Sequence, residues 1–460
     1  MFFRQVLYRD LGCASYMLGD SGEAVVVDPR WDIEEYLELA RVERLRIVHV
    51  VDTHDHADHV SGRVRLAGAT GARAHRPSDP ADDCDDRIDA GDEIAVGNVR
   101  LRAIATPGHR PEHLAFAVSD LSRGEDPWLL LTGDSLLVGD IARPDLVLDA
   151  AEGAQILRAS LQPLISLGDH VEVWPAHVGG SLCGGAGLSA KTSSTIGFEL
   201  RHNPMLMMAE DQFVTAMTQS LPTRPPNVDR VVLLNRLRED HDPGRPEPLD
   251  PQALRASLAA GVIVLDARQP AEFDLGHLVG ALNLPVASPG VGTRAGWALD
   301  AEERIVIAAA DVESAITMAN ALTAVGLWRI EGYTLAGEGR WRDGGLPVSE
   351  AGSWNLEKLA EGLRDATVEL IDVRERSEWV DGHVRGSHHV PLHRLRDVEA
   401  VQLEFPQNGR TTAVACAAGA RAAFAASLLR RAGRQDVVRV AGGGVGDLSA
   451  FGIPLEVGLD

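Results

Sequence analysis

The sequence predicts an α/β protein with several domains, and three observations lead to that class. Short apolar runs that end in turns alternate with helical stretches along the whole chain of 460 residues. Domains of about 150 residues make three the expected number. A strand pattern at 264–268 returns at 370–374, which indicates a duplicated unit. Because strands and helices alternate within that unit, its sheets are predicted to be mostly parallel.

The composition is that of a soluble globular chain. Hydrophobic residues make up 45% and charged residues 24%, and the net charge of −23 argues against nucleic acid or an anionic membrane surface as partner. No run approaches the ~18 apolar residues of a membrane span, and residues 1–8 have the pattern of a first strand rather than a signal peptide. A cytoplasmic location is therefore expected. Four scattered cysteines fit a reducing compartment: Cys13, Cys84, Cys183 and Cys416.

Two proline-rich stretches, 222–226 and 242–248, predict a linker. The expected domains are 1–242, 248–350 and 352–460. The last two are copies of each other at an offset of 106 residues, since the residues Asp266, Arg268, Glu272, His277, Gly280 and Pro285 recur as Asp372, Arg374, Glu378, His383, Gly386 and Pro391.

Residues 53–59 concentrate potential metal ligands directly after an apolar run. His54 and His56 are two positions apart, so an extended backbone points both side chains the same way. Further ligand types follow later strands, where a rigid sheet can aim distant residues at one point. The complete candidate set is His54, His56, Asp58, His59, His109, Asp134 and His177. This density of ligand types predicts a metal site.

The set resembles that of the metallo-β-lactamase superfamily, which has an αββα sandwich fold. In that superfamily His54, His56 and His109 would line one metal position, whereas Asp58, His59 and His177 would line a second, with Asp134 between them. The resemblance to its glyoxalase II branch implies two zinc-type ions and hydrolysis of a thioester.

The surrounding stretches resemble a different branch, the persulfide dioxygenases. They are Cys13 with the strand after it, 53–54, 106–109, 132–135 and 139–146, with Ala142 where that family often has Gly. This resemblance implies one Fe(II) per chain, held by His54, His109 and Asp134, with three positions open for a thiol persulfide and O2. His56, Asp58, His59 and His177 would then surround the ligands, although their retention is the best argument for the hydrolase. We favour the dioxygenase.

Three residues are weaker substrate-binding candidates. Arg143 and Arg201 could bind a carboxylate or phosphate of a thiol carrier, or could equally form internal ion pairs. Cys183 lies in a glycine-rich loop after His177, where it could accept sulfur or be an ordinary loop residue.

Residues 413–421 predict a strand that delivers Cys416 into a tight loop before a helix. Loop N–H groups and the helix N-terminus would lower the pKa of the thiol. The loop resembles that of the rhodanese family, in which Cys416 would carry a persulfide and Arg421 would stabilise anionic sulfur. Its six-residue length is that of rhodaneses. The first copy has Ala310 and Ala315 at these positions and is predicted to be inactive.

The whole chain resembles the persulfide dioxygenase–rhodanese fusions. This implies a bifunctional enzyme of sulfide detoxification that uses a thiol persulfide, O2 and sulfite or thiosulfate, and a homo-oligomeric assembly. A thioester hydrolase fused to a sulfurtransferase is the alternative. A sulfur-binding module without turnover is a third class, which the complete ligand set disfavours.

Overall fold

In the computed structural model the chain divides into two compact units. The first contains Met1–Asp242 with Ala324–Gly326, and the second contains Pro243–Thr323 with Leu327–Asp460. The structure describes residues 1–78, 86–179, 184, 187–219, 221, 223–237, 240, 242–405 and 409–458. Cys84 and Cys183 lie outside the described residues. The three-domain boundaries stay predictions.

The first unit contains two six-stranded sheets, each with its strands in chain order. The strands of the first sheet are β1 (Phe2–Tyr8), β2 (Cys13–Asp20), β3 (Glu23–Val27), β4 (Arg46–Val51), β5 (Arg73–Pro77) and β6 (Arg87–Ile88). Those of the second are β7 (Glu93–Val96), β8 (Val99–Ala105), β9 (Leu114–Asp120), β10 (Leu129–Gly133), β11 (Glu172–Pro175) and β12 (Ser194–Thr195).

The helices of this unit pack on the outer faces of the two sheets or, at the end of the unit, on loops between strands. They are α1 (Glu34–Glu43), α2 (Arg63–Thr70), α3 (Ala150–Ser160), α4 (Gln162–Ile165), α5 (Ile196–His202), α6 (Pro204–Met207), α7 (Glu210–Gln219) and α8 (Val228–Arg236). One apolar core, which includes Leu18 and Phe116, joins the two sheets. Separate cores pack α1 and α2 on the first sheet and α3 and α7 on the second. The layers are therefore αββα.

Strand burial follows from this layering. Every residue of β9 and β10 is buried, because the second sheet has the other sheet on one face and helices on the other. The strands β4, β8, β10 and β11 all end just before a predicted ligand, so their loops carry His54, His109, Asp134 and His177.

The second unit contains two parallel sheets, each with a short antiparallel pair beside it. Its strands are β13 (Ile263–Asp266), β14 (His277–Leu278), β15 (Leu282–Asn283), β16 (Ile305–Ala309), β17 (Ile330–Leu335), β18 (Val348–Ser349), β19 (Ser353–Trp354), β20 (Val368–Asp372), β21 (His383–Val384), β22 (His388–His389), β23 (Thr411–Ala415), β24 (Val437–Val440) and β25 (Leu455–Glu456). The parallel orders are β15-β13-β16-β17 and β19-β24-β23-β20-β22.

Helices alternate with these strands. They are α9 (Pro251–Ala259), α10 (Pro270–Leu275), α11 (Val291–Ala298), α12 (Val312–Ala324), α13 (Glu338–Asp343), α14 (Leu356–Arg364), α15 (Arg376–Asp381), α16 (Val398–Glu404) and α17 (Ala420–Arg431), with 3₁₀ helices at Leu392–Asp397 and Val445–Phe451. The predicted α/β class, with a sandwich followed by parallel sheets, is confirmed. Across the described residues, no helix combines the length and apolarity that a membrane crossing needs.

Candidate functional sites: a buried metal centre and a cysteine loop

Three predicted ligands converge at one buried point of the first unit. The Asp134 Oδ2 atom lies 3.8 Å from His54 Nε2 and 3.3 Å from His109 Nε2. One ligand atom from each residue falls within 4.8 Å of the others. All three atoms are buried and have no hydrogen-bond partner among the described residues. Because buried polar atoms are almost always paired, such a converging set indicates a place for a cation.

The remaining ring nitrogens of both histidines are engaged in a way that leaves Nε2 free to bind. Thr53 Oγ1 donates to Asp28 Oδ2 at 2.9 Å and therefore accepts from His54 Nδ1, also at 2.9 Å. His109 Nδ1 donates to the carbonyl oxygen of Arg143 at 2.8 Å. Each histidine thus carries its proton on Nδ1 and presents the Nε2 lone pair, which is the arrangement that outer partners impose on metal ligands.

Electrostatics keep the three ligands in their metal-binding forms. Burial lowers the pKa of His54 well below its ordinary value, and it also lowers that of His109. Burial raises the pKa of Asp134, but the charge and hydrogen bond of His177 outweigh this and hold the pKa low. Two neutral imidazoles and one carboxylate result.

The other predicted ligands mainly bind one another. Asp58 Oδ2 accepts from His177 Nε2 at 2.9 Å, and Asp58 Oδ1 lies 3.1 Å from His59 Nδ1. The Cys13 thiol donates to Asp58 Oδ2 at 3.1 Å and lies 3.3 Å from His177 Nε2. His177 Nδ1 in turn donates to Asp134 Oδ1 at 2.6 Å. These hydrogen bonds through His177 connect Asp58 and Cys13 to the proposed ligand Asp134.

His56 stands apart from the three converging ligands. Its Nε2 lies 3.2 Å from Asp28 Oδ1. Burial lowers the pKa of His56, but the charge and hydrogen bond of Asp28 outweigh this and raise it to about 9. Other groups with a spacing that suits an ion are Cys13–Asp58–His177, His56–Asp58–His59 and Asp28–Asp52–His56.

Cys13 is a buried thiol rather than a reactive one. Burial and the charge of Asp58 raise its pKa well above the ordinary value. An isolated antiparallel β-bridge pairs Cys13 with His177, so its side chain packs beside the site.

Two of the weaker candidates are engaged in ion pairs. Arg143 binds Asp145 through two hydrogen bonds of 2.7 Å. Arg201 forms an exposed ion pair with Asp169. The Arg143 pair corresponds to the internal ion pair that the sequence left open, whereas the Arg201 pair lies on the surface. Substrate binding by either arginine stays a prediction. Cys183 lies outside the described residues.

Sequence reasoning missed two buried residues beside the ligands. Asp28 follows β3, contacts Thr53 and His56, and has a φ of 52°. His113, four positions after His109, was not considered; it contacts Thr106 and Asp134. Its pKa is lowered to about 3 by burial and the neighbouring His109, so its ring is neutral. The sequence signal that could have indicated His113 is its position in the loop between β8 and β9, which also carries His109.

The second site lies at the end of β23. Cys416 is 3% exposed, and its Sγ accepts a hydrogen bond from the Gly419 N–H at 3.0 Å. Gly419 has a φ of +98°, which turns the loop into α17 and favours glycine. A Cβ on Gly444 would lie 2.0 Å from the carbonyl oxygen of Ala417, so the close approach of these two backbone segments requires a glycine there.

Arg421 faces a carboxylate. Its two terminal nitrogens donate to Glu378 at 2.6 and 2.7 Å. Burial lowers the pKa of Arg421, but the bond to Glu378 outweighs this and raises it. Asp372 and Arg374 form a separate buried pair at 2.7 Å, as expected of a structural ion pair.

Two protein-family models match separate parts of the chain. The model of the metallo-beta-lactamase superfamily matches residues 8–177, and the model of the rhodanese-like domain matches 355–449. The chain is 30% identical to persulfide dioxygenase ETHE1, mitochondrial, of Bos taurus over 48% of this chain and 82% of that protein. The chain belongs to the persulfide dioxygenase family. The human counterpart is 28% identical over 50% of this chain and 85% of its own length.

One solved structure is similar to this chain over a longer stretch than the bovine relative. The crystal structure of a metallo-beta-lactamase from Staphylococcus aureus subsp. aureus COL is 28% identical, with a TM-score of 0.64. The match spans 73% of the present chain and 99% of the Staphylococcus aureus protein. The predicted fusion of a persulfide dioxygenase-like domain with a rhodanese-like domain is confirmed, and it places the protein in sulfur metabolism.

Proposed function

We propose that this protein is a bifunctional enzyme of sulfur metabolism. Its first unit oxidises the persulfide of a low-molecular-weight thiol, so that RSSH, O2 and water give RSH, sulfite and protons. Cys416 in its second unit moves sulfane sulfur between a thiol persulfide and sulfite or thiosulfate. The proposed metal is one Fe(II) per chain, held by His54, His109 and Asp134.

The observation that carries the proposal is a contrast in pairing. His54 Nε2, His109 Nε2 and Asp134 Oδ2 converge without hydrogen-bond partners among the described residues. Asp58, by contrast, has both oxygens engaged, with His59 and His177. Two imidazoles and one carboxylate form the donor set of non-haem iron oxygenases. When bound there, iron would supply the binding and activation of O2.

The chain's own residues hold this centre in one protonation state. Thr53 and the Arg143 carbonyl keep the protons of His54 and His109 on Nδ1. His177 occupies Asp134 Oδ1 and leaves only Oδ2 to face the centre. All three ligands are at most 1% exposed, so bulk water is kept away from the ligand atoms.

The runner-up is a binuclear zinc-type thioester hydrolase fused to a sulfurtransferase. The full retention of Asp58, His59 and His177 favours it, because these residues would line a second metal position. A rhodanese-like partner favours the dioxygenase, since hydrolysis of an ordinary thioester yields no sulfane sulfur.

Metal content and O2 uptake of anaerobically purified protein test the choice. We expect about one iron per chain, with O2 consumed and sulfite formed from a thiol persulfide. His109→Ala should lose the iron and the O2 uptake. His59→Ala, a matched removal of a histidine from the second set, should keep one iron. Two zinc ions with no O2 uptake would establish the hydrolase instead.

The sulfur-transfer step at Cys416 exchanges one S–S bond for another. The Cys416 thiolate attacks the sulfane sulfur, and the bond between that sulfur and its carrier breaks. A thiol carrier leaves as a thiolate that takes up a proton, whereas thiosulfate releases sulfite. The Gly419 N–H donates to Sγ at an N···S distance of 3.0 Å, directly before α17 begins. Mass spectrometry of the Cys416 peptide after incubation with a persulfide or thiosulfate should show one added sulfur atom.

Several further features of the proposed enzyme rest on the sequence. They are its cytoplasmic location, its homo-oligomeric state, the inactivity of the first α/β repeat, and the three domains at 1–242, 248–350 and 352–460.

A further inference from the structure

His113 is a buried histidine that touches the loops of all three proposed ligands. It directly precedes β9 and is 1% exposed. Its Nδ1 lies 2.6 Å from Thr106 Oγ1, in the loop that carries His109. Its Nε2 lies 2.8 Å from the backbone nitrogen of Asp134. Both ring nitrogens are therefore engaged, and His113 is not among the residues grouped around an ion position.

The hydrogen bonds determine the tautomer of this ring. A backbone N–H only donates, so Nε2 of His113 must accept from Asp134 and carry no proton. The neutral ring then holds its proton on Nδ1 and donates it to Thr106 Oγ1. His113 consequently joins the His109 loop to the Asp134 backbone through one rigid ring.

The third ligand loop is attached to the same place. The N–H of Leu114 donates to the Thr53 carbonyl oxygen at 2.8 Å, directly before His54. The rings of His54 and His113 have centroids 5.0 Å apart. Gly133 lies against both neighbours, because a Cβ there would be 2.6 Å from His113 Nε2 and 2.8 Å from Thr53 Oγ1.

We propose that His113 is the positioning residue of the metal centre. It holds the Asp134 backbone in the orientation that aims Oδ2 at the Nε2 atoms of His54 and His109. Gly133, with a φ of +51°, allows the approach because it has no side chain. The inference rests on the metal-binding part of the proposed function and not on the reaction that the metal supports.

Binding of Co(II) to the metal-free full-length protein tests this role, since its visible spectrum reports coordination without any turnover. We expect His113→Leu to raise the Kd for Co(II) about 10- to 100-fold, the usual loss for outer partners of metal ligands. His113→Gln should stay within a few-fold of wild type, because its amide oxygen can accept from the Asp134 N–H. His113→Asn reaches only the Thr106 side and should resemble His113→Leu. An unchanged Kd and spectrum in His113→Leu would overturn the proposal.

Controls separate positioning from general damage. His75→Leu removes another buried histidine of the same unit, whose Nε2 lies 3.0 Å from His49 Nδ1, and should leave Co(II) binding unchanged. Thermal unfolding of each metal-free variant shows whether it folds. If His113→Leu does not fold, the two amide variants decide: retention by His113→Asn with loss by His113→Gln contradicts the role assigned to the Asp134 bond. Absence of O2 uptake in wild type would reject the dioxygenase and leave this result standing.

Discussion

The two α/β repeats of the second unit share their supporting contacts and differ at the loop that follows β16 in the first repeat and β23 in the second. In the first repeat Arg268 binds Asp266 and donates to the Gly276 carbonyl oxygen at 2.8 Å. In the second repeat Arg374 binds Asp372 and donates to the Gly382 carbonyl oxygen at 2.7 Å. The same ion pair thus ties the strand end to the same turn in both.

A stacked histidine is also common to both repeats. Phe273 and His277 stack with centroids 3.8 Å apart, and Trp379 and His383 stack at 4.0 Å, both with ring planes within 8°. Each histidine Nδ1 donates to the carbonyl oxygen of its stacking partner. Because these contacts occur in both repeats, we interpret them as part of the common fold rather than of a catalytic site.

The repeats diverge at the positions that would do chemistry. Ala310 and Ala315 stand where the second repeat has Cys416 and Arg421. Glu272 accepts from the Gln269 N–H at 3.1 Å, whereas its counterpart Glu378 accepts from a backbone N–H and from Arg421. The shared contacts therefore belong to the common fold, and Cys416 and Arg421 of the proposed sulfur-transfer site occur in the second repeat only.

The largest expected effect is loss of the nucleophile. Cys416→Ser should lower sulfur transfer by about three orders of magnitude or more, since the serine hydroxyl cannot carry a persulfide. Transfer from thiosulfate or a persulfide to an acceptor thiol measures it. Ala310→Ser, the same position in the first repeat, should leave the rate unchanged. Transfer that survives Cys416→Ser would reject Cys416 as the sulfur carrier.

Next in size is the loss of a shared buried ion pair. Asp372→Asn leaves Arg374 buried without its charge partner and should lower the free energy of unfolding by about 3–5 kcal/mol. Asp266→Asn should cost the first repeat a similar amount. Denaturant unfolding of both variants compares them. A cost confined to Asp372→Asn would show that the pair serves the cysteine loop rather than the common fold.

A smaller effect is expected at the unshared ion pair. Glu378→Gln frees Arg421 and should lower sulfur transfer about tenfold, the scale of one charge-assisted hydrogen bond. Burial raises the pKa of Glu378, but the bond to Arg421 outweighs this and lowers it. The stability from the pair is therefore present above the ordinary glutamate pKa of about 4.3 and is lost as the pH falls through the lower folded value.

Unfolding of wild type and Glu378→Gln across the acid range checks that sign. The difference between them should shrink as the pH falls, while Glu272→Gln serves as the matched variant without an arginine partner. A difference that grows towards low pH contradicts the ion pair.

The smallest expected effect is a gain. Ala310→Cys combined with Ala315→Arg restores the two side chains to the first repeat but leaves Asp311 and Glu313, whose charges raise the pKa of a thiol. In a Cys416→Ser background we expect about a hundredth of normal transfer or less. Recovery close to the normal rate would show that the first repeat lacks only its two side chains.

Features that depend on local spacing could be predicted from the amino-acid sequence. Alternating strands and helices predicted the α/β class, the offset between Asp266 and Asp372 predicted the duplication, and residues 53–59 predicted the metal site. The loop between Cys416 and Arg421 predicted a rhodanese-like site in the same way. Each of these depends on residues that are close along the chain or related by a repeat.

The tertiary structure decided how side chains from distant segments share their hydrogen bonds. Only the fold shows that His177 binds both Asp134 and Asp58 and that Arg421 faces Glu378. It also shows that His113 accepts a hydrogen bond from the Asp134 N–H. Linear spacing cannot predict these partners, because the same donor types could pair in many ways. The fold determines the partners, because the sheets bring the strand ends together and burial makes most polar atoms form hydrogen bonds.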